Sequence, residues 1–499
     1  MTEPDSGEWI CRAHCVYYKP ARAEEDRCRG FTLACGLVGH DESASRHSSI
    51  PPFSPSYKRT FLREHVCGDC PFLIDGCDFT SPNPPQGCLP CGGLIVLSGW
   101  LQNGVITEDQ IERGGAPESC AGSYVTLTRN SAIKLLEEDC VYHIGRDELY
   151  EVNKEALEFL LKCDGSRRIE ELAPDPEFLR FCLEEDILQL SDLPAKAIIE
   201  ASRSPVPSLR YLEWLVTFRC NLECTHCYLG DSEPADFPPE LIRPLLSQFS
   251  AMQGLRVLVS GGEPTVYPHF EAVNAALPDY PLRAVLLTNG IALTEKMAAK
   301  LNFHEVQVSL DGLEAGHDML RGKGTFRKTL EGARAVRAAG KDLSVATMIH
   351  QGNLNEWDQL RDLALELGAR EWSIDYPCAA GRLPGHPQLA VPLDVAAEKM
   401  AYGFGGSYHG SSEGWTCGRR LAAVLPSGRV CRCGLLQGEI LGSVEEGLAL
   451  AWARVDHIPI GATECAECAH AAECGGGCRF RAGGRGARDL FMCKVYGVG

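Results

Sequence analysis

No stretch of this chain is apolar for the roughly 18 residues that a membrane-spanning helix needs, so no transmembrane segment is expected. The first ten residues, MTEPDSGEWI, have neither the basic n-region nor the apolar h-region of a secretory signal. Positive charge is scarce: 48 Lys and Arg stand against 67 Asp and Glu, a net charge of −19. Phosphate binding needs a basic surface, so nucleic acid and anionic membranes are not expected as partners, and the charge reads as a solubility device. These absences together point to the cytoplasm. Hydrophobic residues make up 44% of 499 positions, enough to bury several cores.

Cysteine is what the chain has in excess, 25 residues of it. The chain is too long for a small disulfide scaffold, and a reducing compartment keeps thiols free, so clustered cysteines read first as metal ligands. Residues 1–115 are rich in Gly and Pro and poor in core formers, so a staple is expected there. Cys67-x2-Cys70 and Cys88-x2-Cys91, seventeen residues apart, have zinc-ribbon spacing: each knuckle offers two thiolates and two knuckles complete a tetrahedron. An iron–sulfur cluster using Cys77 and buried free thiols are the alternatives. Cys11, Cys15, Cys28 and Cys35 form a less regular second candidate.

Residues 120–195 read as a small α+β domain. A strand is expected at 124–128, a hairpin at 140–144 and 148–152, then helices at 154–161, 169–172 and 176–184, the first capped by Asn153. Residues 196–208 read as a linker. Over 209–390, strand and helix patterns alternate, with strands expected at 211–218, 255–260, 283–288, 305–310, 343–349 and 371–376. Six such units make an α/β fold, a partial (β/α)6 TIM-like barrel, whose chemistry sits at the C-terminal ends of its strands.

Two motifs stand at those ends. After the first strand comes Cys220-x3-Cys224-x2-Cys227, with His226 before the last cysteine. Three thiolates can hold three corners of a [4Fe–4S] cubane and leave one iron open. After the second strand comes Ser260-Gly261-Gly262-Glu263-Pro264. The pair resembles the radical SAM superfamily. That resemblance implies that S-adenosylmethionine (SAM) chelates the open iron, and that the reduced cluster cleaves SAM to a 5′-deoxyadenosyl radical. It further implies that Gly261, Gly262, Glu263 and Pro264 form the loop beside the SAM amino group, with Asn289, Ser309 and Arg321 as further cofactor contacts. A turn Asn, a strand-end Ser and a surface Arg are the structural alternatives. Asp375 and Cys378 follow the sixth strand; as catalytic candidates they offer a general base and a hydrogen or proton donor, and Cys378 is also a candidate cluster ligand.

In 391–499 the order Cys417, Gly428, Cys433, then Cys465-x2-Cys468-x5-Cys474-x3-Cys478, then Cys493 is similar to the seven-cysteine SPASM extension of radical SAM peptide-modifying enzymes. The resemblance implies one auxiliary cluster on Cys417, Cys433 and Cys478 and a second, fully ligated one on Cys465, Cys468, Cys474 and Cys493. Cys431 is an extra thiol that is a candidate fourth ligand of the first. The implied cofactors are therefore SAM and three [4Fe–4S] clusters, with zinc an added expectation in the N-terminal segment. Cys120, Cys140, Cys163 and Cys182 read as core residues.

The run from Leu149 to Leu161 with Asp164-Gly165 resembles the winged-helix-like peptide-recognition domain of ribosomal-peptide maturases, akin to the pyrroloquinoline-quinone chaperone. There a leader peptide adds as a strand to a sheet edge. The expectation is an enzyme that modifies a ribosomally synthesised precursor peptide by thioether formation, carbon–carbon crosslinking or side-chain oxidation, with a flavodoxin or ferredoxin as electron donor. A sulfatase-maturing-type side-chain oxidase and a tetrapyrrole or small-molecule enzyme are the alternatives.

Overall fold

A computed structural model of the chain describes residues 122–199, 201–406 and 414–498, with a few isolated positions before them. Cys67, Cys70, Cys88 and Cys91, and the other cysteines up to Cys120, lie outside the described residues.

Strands β1 (Tyr124–Leu127), β2 (Ser131–Leu135), β3 (Asp139–His143), β4 (Glu148–Glu151), β5 (Asp164–Arg168) and β6 (Leu188–Ser191) form two three-stranded sheets, β2-β3-β4 and β5-β1-β6. Asn153 caps the helix Lys154–Leu160, its side-chain oxygen accepting from Ala156 N at 2.8 Å. Short helices Ile169–Leu172 and Pro176–Glu184 lie where the pattern expects them. The described chain divides into two compact units. One includes residues 165–181 and 190–195, the other residues 126–164, 182–189 and the chain from 196 on. The antiparallel sheet β2-β3-β4 therefore belongs with the barrel.

The barrel strands are β7 (Tyr211–Thr217), β8 (Arg256–Gly261), β9 (Arg283–Thr288), β10 (Glu305–Ser309), β11 (Asp342–Met348) and β12 (Glu371–Asp375). They are parallel and adjacent in chain order. Right-handed crossovers in sequential order put the helices on one face, so the other face turns inward. The outward side chains are apolar: Leu212, Trp214 and Val216 of β7, Val257 and Val259 of β8, Leu286, Val308, Val345 and Trp372. They pack on Leu245, Leu246 and Phe249 of helix Ile242–Ala251 and on Leu330, Ala333 and Val336 of helix Thr325–Ala338. The inward positions, one residue out of phase, carry Glu213, Ser260, Gln307, Ser309, Ser373 and Asp375. On that inner face these polar groups stand among apolar ones such as Leu215, Leu258 and Leu287, which makes it more polar than the helix-covered core.

Three more strands, β13 (Leu421–Val424), β14 (Arg429–Cys431) and β15 (Ile440–Ser443), continue the same sheet beyond β7, making nine in all. β13 runs parallel to β7, while β14 and β15 return antiparallel. The cysteine-rich extension is thereby anchored at the strand that leads into the first cysteine loop.

The sheet β2-β3-β4 packs under the N-terminal ends of the barrel strands. Lys134 Nζ donates to Gly254 O (2.8 Å) and Pro281 O (2.9 Å). Arg283, fully buried at the start of β9, donates to Ile144 O (3.0 Å) and Gly145 O (2.6 Å) and pairs with Glu305 (2.8 Å) and Asp342 (2.6 Å). Arg256 pairs with Asp147 of the hairpin turn. Tyr142, Ile144 and Leu255 complete the apolar contact.

Candidate active site and cluster-binding sites

The three-cysteine loop leaves the C-terminal end of β7 and meets the loop after β8 backbone to backbone. Gly262 N donates to Thr217 O (2.8 Å) and Glu263 N to Arg219 O (2.9 Å). A Cβ on Gly261 would lie 2.3 Å from Thr217 O, and one on Gly262 2.3 Å from Arg219 O; Gly261 also has φ +141°. The two glycines are thus demanded by close approach of the loops. Glu263 is buried and its carboxylate is consumed internally: Oε1 accepts from Thr265 N (3.1 Å) and Thr288 Oγ1 (2.7 Å), and Oε2 from Asn289 N (2.8 Å). It ties the ends of β8 and β9 together. Asn289 in turn donates to Asn221 Oδ1 of the cysteine loop at 2.8 Å. Ser309 ends β10 on the inner face, half-buried.

Arg321, at the end of helix Glu314–Arg321, pairs with Asp311 at 2.5 Å. Asp311 also accepts from Met348 N (2.8 Å), and His226 Nε2 stands 3.7 Å from its carboxylate. Burial alone would raise the Asp311 carboxyl, but the Arg321 guanidinium reverses this and holds it below the usual carboxylate range. Burial pushes His226 down to about 4, so its ring is neutral. Asp311 is therefore a hub behind the cysteine loop that sequence reading passed over; the signal was an acid placed one residue beyond a strand-end Ser-Leu.

Cys220 is exposed, Cys224 buried and Cys227 half-buried, all three unpaired by disulfides. Burial raises the Cys220 thiol although the residue is exposed, as expected of a group lining a recess. Burial likewise pushes Cys224 up to about 11. Such thiols bind as thiolates only when a metal supplies the compensating charge. Among the described residues no three His, Cys, Asp or Glu side chains converge on a single ion. A cubane asks for no such convergence, because each iron corner takes one thiolate. His226 Nδ1 is buried beside the recess without a hydrogen-bond partner.

In the extension, Cys465, Cys468, Cys474 and Cys493 line one small pocket, with His470, Met492 and Tyr496. These are the four thiols grouped by their spacing. Cys417 lies near Cys478 and Cys433 near Cys417, and Cys417 Sγ accepts from Arg479 N at 3.4 Å. Cys378, in the loop after β12, is also a neighbour of Cys478. Cys431, by contrast, is fully buried with Leu215, Ala423 and Leu425.

Asp375 ends β12 with its side chain 77% accessible, yet the surrounding protein desolvates it enough to raise its carboxyl, against the pull of Arg481 at 2.9 Å. It lines the polar interior. A second interior carboxyl, Glu213 of β7, accepts from Gly434 N at 2.9 Å and is raised by burial. A Glu out of phase with Leu212 and Trp214 was the signal for it.

A family model for the radical SAM superfamily matches residues 214–364. These residues are a radical SAM domain. The match runs from β7 to the helix Trp357–Glu366 and so contains the cysteine loop, the Gly-Gly-Glu-Pro loop and the Asp311 hub. Across 323 residues the chain is 27% identical to mycofactocin maturase MftC of Mycolicibacterium smegmatis, covering 57% of this chain and 82% of that protein. It is 33% identical to the AdoMet-dependent heme synthase of Methanosarcina barkeri over 181 residues, 35% of this chain and 52% of that one. For MftC of Mycobacterium tuberculosis the match spans 47% of the relative. The fold around the radical SAM domain is similar to that of Streptococcus suis SuiB, solved bound to precursor peptide SuiA, with TM-score 0.55 and 16% identity over 73% of this chain and 98% of that one. No described helix is long and apolar enough to cross a membrane.

Proposed function

We propose that the chain is a radical SAM maturase of a ribosomally synthesised precursor peptide, with the leader held at the β4 edge and the core segment in the barrel interior. The observation that carries this reading is a three-stranded antiparallel sheet whose β4 edge is unpaired among the described residues, seated on a radical SAM barrel with polar groups on its inner face. The similarity to a mycofactocin maturase supports it.

Cys220, Cys224 and Cys227 would hold the SAM-binding [4Fe–4S] cluster, and Gly261–Pro264, Asn289 and Ser309 would shape the SAM pocket. Bound together, cluster and SAM supply a 5′-deoxyadenosyl radical able to remove hydrogen from an unactivated carbon. The protein's part is placement and exclusion of water. The Glu263 and Asn289 hydrogen bonds fix the loop geometry, and Arg321, neutralised by Asp311, sits behind the cysteine loop. Asp375, raised yet accessible, is suited to take a proton from the peptide at its carboxylate, with Arg481 stabilising the ionised form. Cys417, Cys433 and Cys478, and separately Cys465, Cys468, Cys474 and Cys493, would hold auxiliary clusters that accept or relay electrons, and a small electron-transfer protein such as a flavodoxin or ferredoxin would reduce the first.

Val152 N donates to Asp139 O, which sets the ladder so that the N–H groups of Leu149 and Glu151 point away from β3. A leader strand would pair with those groups. Glu151→Pro removes one of them at an exposed position. It is expected to weaken precursor binding about tenfold while leaving peptide-independent SAM cleavage unchanged, as measured by fluorescence anisotropy and 5′-deoxyadenosine release. Unchanged affinity would remove the β4 edge from the proposal. Co-expression with a short precursor encoded nearby, followed by mass spectrometry, identifies the bond formed.

A further inference from the structure

Arg479 is a buried cation to which the extension offers no carboxylate. It follows Cys478 in the chain and is 5% exposed. Its Nη1 donates to Ala487 O (2.8 Å) and Arg485 O (3.3 Å), its Nη2 donates to Gly476 O, and its Nε is buried without a partner. The other arginines of the same stretch are paired: Arg481 with Asp375 (2.9 Å) and Asp489 (3.0 Å), Arg485 with Asp456, and Arg488 with Glu464 (3.7 Å). Among the described residues, the Arg479 guanidinium alone of these four meets only backbone carbonyls. A guanidinium keeps its proton at every ordinary pH. A buried charge is costly unless an opposite one faces it.

The two cysteine groups of the extension meet at this residue. Arg479 N donates to Cys417 Sγ at 3.4 Å. Its Nη2 bonds the carbonyl of Gly476, which lines the pocket of Cys465, Cys468, Cys474 and Cys493. A Cβ on Gly476 would stand 3.2 Å from that Nη2 and 3.5 Å from Thr416 Cγ2, so the guanidinium, the residue before Cys417 and the wall of the four-cysteine pocket come together there. The negative charge that no carboxylate supplies is available on either side, once the thiols of each group are bound as thiolates.

We propose that Arg479 is the counter-cation shared by the two cysteine groups, and that it raises the reduction potentials of the clusters they hold. The inference rests on the auxiliary-cluster reading given above. A thiolate-ligated cubane is a net anion, and one more electron makes it more so. A fixed cation beside it, in a site poor in water, favours the reduced form. The same cation offsets the repulsion between two anionic groups placed close together. The role requires positive charge and not the particular shape of a guanidinium.

The test uses the full chain carrying Cys220→Ala, Cys224→Ala and Cys227→Ala, reconstituted anaerobically, so that only the auxiliary groups hold iron. EPR signals are followed through a potentiometric titration with dithionite. That parent is expected to hold about eight irons. Arg479→Gln, which keeps hydrogen-bonding capacity and removes the charge, is expected to move the midpoint of at least one auxiliary signal about 60 mV more negative, a tenfold change in a one-electron equilibrium. Arg479→Lys, which keeps the charge, is expected to stay within about half of that shift from the parent. Arg454→Gln removes a cation from an exposed pair with Glu446 and is expected to leave every midpoint in place. Equal midpoints for Arg479→Gln and the parent would overturn the proposal, as would a Lys variant that moves as far as the Gln variant. If Arg479→Gln holds no iron, Arg479→Lys decides: the parent's iron and midpoints support a role for the charge, and loss of iron there too overturns it. A parent holding no iron would instead sink the auxiliary-cluster reading, and the proposal with it.

Discussion

Gly262 shows how tightly one position is bound to the chemistry around it. The missing Cβ lets the β8 loop rest on the backbone that leads into the three cysteines. Gly262→Ala must push that loop away from Arg219 O, and SAM cleavage is expected to fall at least about tenfold. Gly385→Ala, where a new Cβ meets nothing within 4 Å, is expected to leave cleavage unchanged. Equal rates for the two variants would contradict the packing argument. His304 gives a pH dependence with a definite sign. Its Nδ1 accepts from Ala284 N at 3.1 Å, and burial lowers its pKa to about 4, from about 6.5 for a free imidazole. Above the unfolded value both states are neutral and the full stability is present. As pH falls toward the folded value the unfolded state protonates first and stability is lost, by about 1.3 kcal/mol between pH 7.5 and 5.5. His304→Asn keeps an acceptor without a titration, so its urea midpoint is expected to change less over that interval than that of the parent.

β2-β3-β4 is the element whose attachment to the barrel is most exposed to single changes. Arg283 reaches both the hairpin carbonyls of residues 144–145 and the carboxylates of Glu305 and Asp342. Arg283→Met leaves Glu305 and two carbonyls without their cation, while Asp342 keeps Arg370 at 2.9 Å. The expected loss is about 3–5 kcal/mol, read as a lower urea midpoint; a loss below about 1 kcal/mol would mean that water and Arg256 take over its contacts. The strand itself was half legible. The hairpin of β3 and β4 could be read from its alternation and its turn, and the helix after it from Asn153. β2, β5 and β6 were not foreseen: β5 is Asp-Gly-Ser-Arg-Arg, with no apolar residue to set a period, and it is a strand because β1 lies beside it.

The whole molecule brings three groups of cysteines to one sheet. β13 joins the edge of β7, so the extension that carries the second set of cysteines hangs from the strand that leads into the three-cysteine loop. If the three groups each hold a cubane, the reconstituted chain should contain roughly twelve irons. Four or fewer would contradict the two auxiliary sites. Replacing Cys220, Cys224 and Cys227 by Ala should abolish 5′-deoxyadenosine formation while leaving the auxiliary iron, a separation that chromatography and iron analysis can both follow.

Residues close in sequence carried their own message. Cys220, Cys224 and Cys227 share one loop, Gly261 to Pro264 share another, and short apolar runs between helix patterns marked all six barrel strands, because each of these depends on neighbours a few positions away. Pairings between distant segments carried no such mark. Asp311 gathering Arg321 and His226, Glu213 accepting from Gly434, and Cys378 meeting Cys478 each require the chain to close a long loop first. Loop closure costs little more for a long loop than for a moderate one, so many partners were open to each group. Which one it met was decided by the sheet order that brought β12, β7 and the cysteine-rich extension to the same end of the barrel.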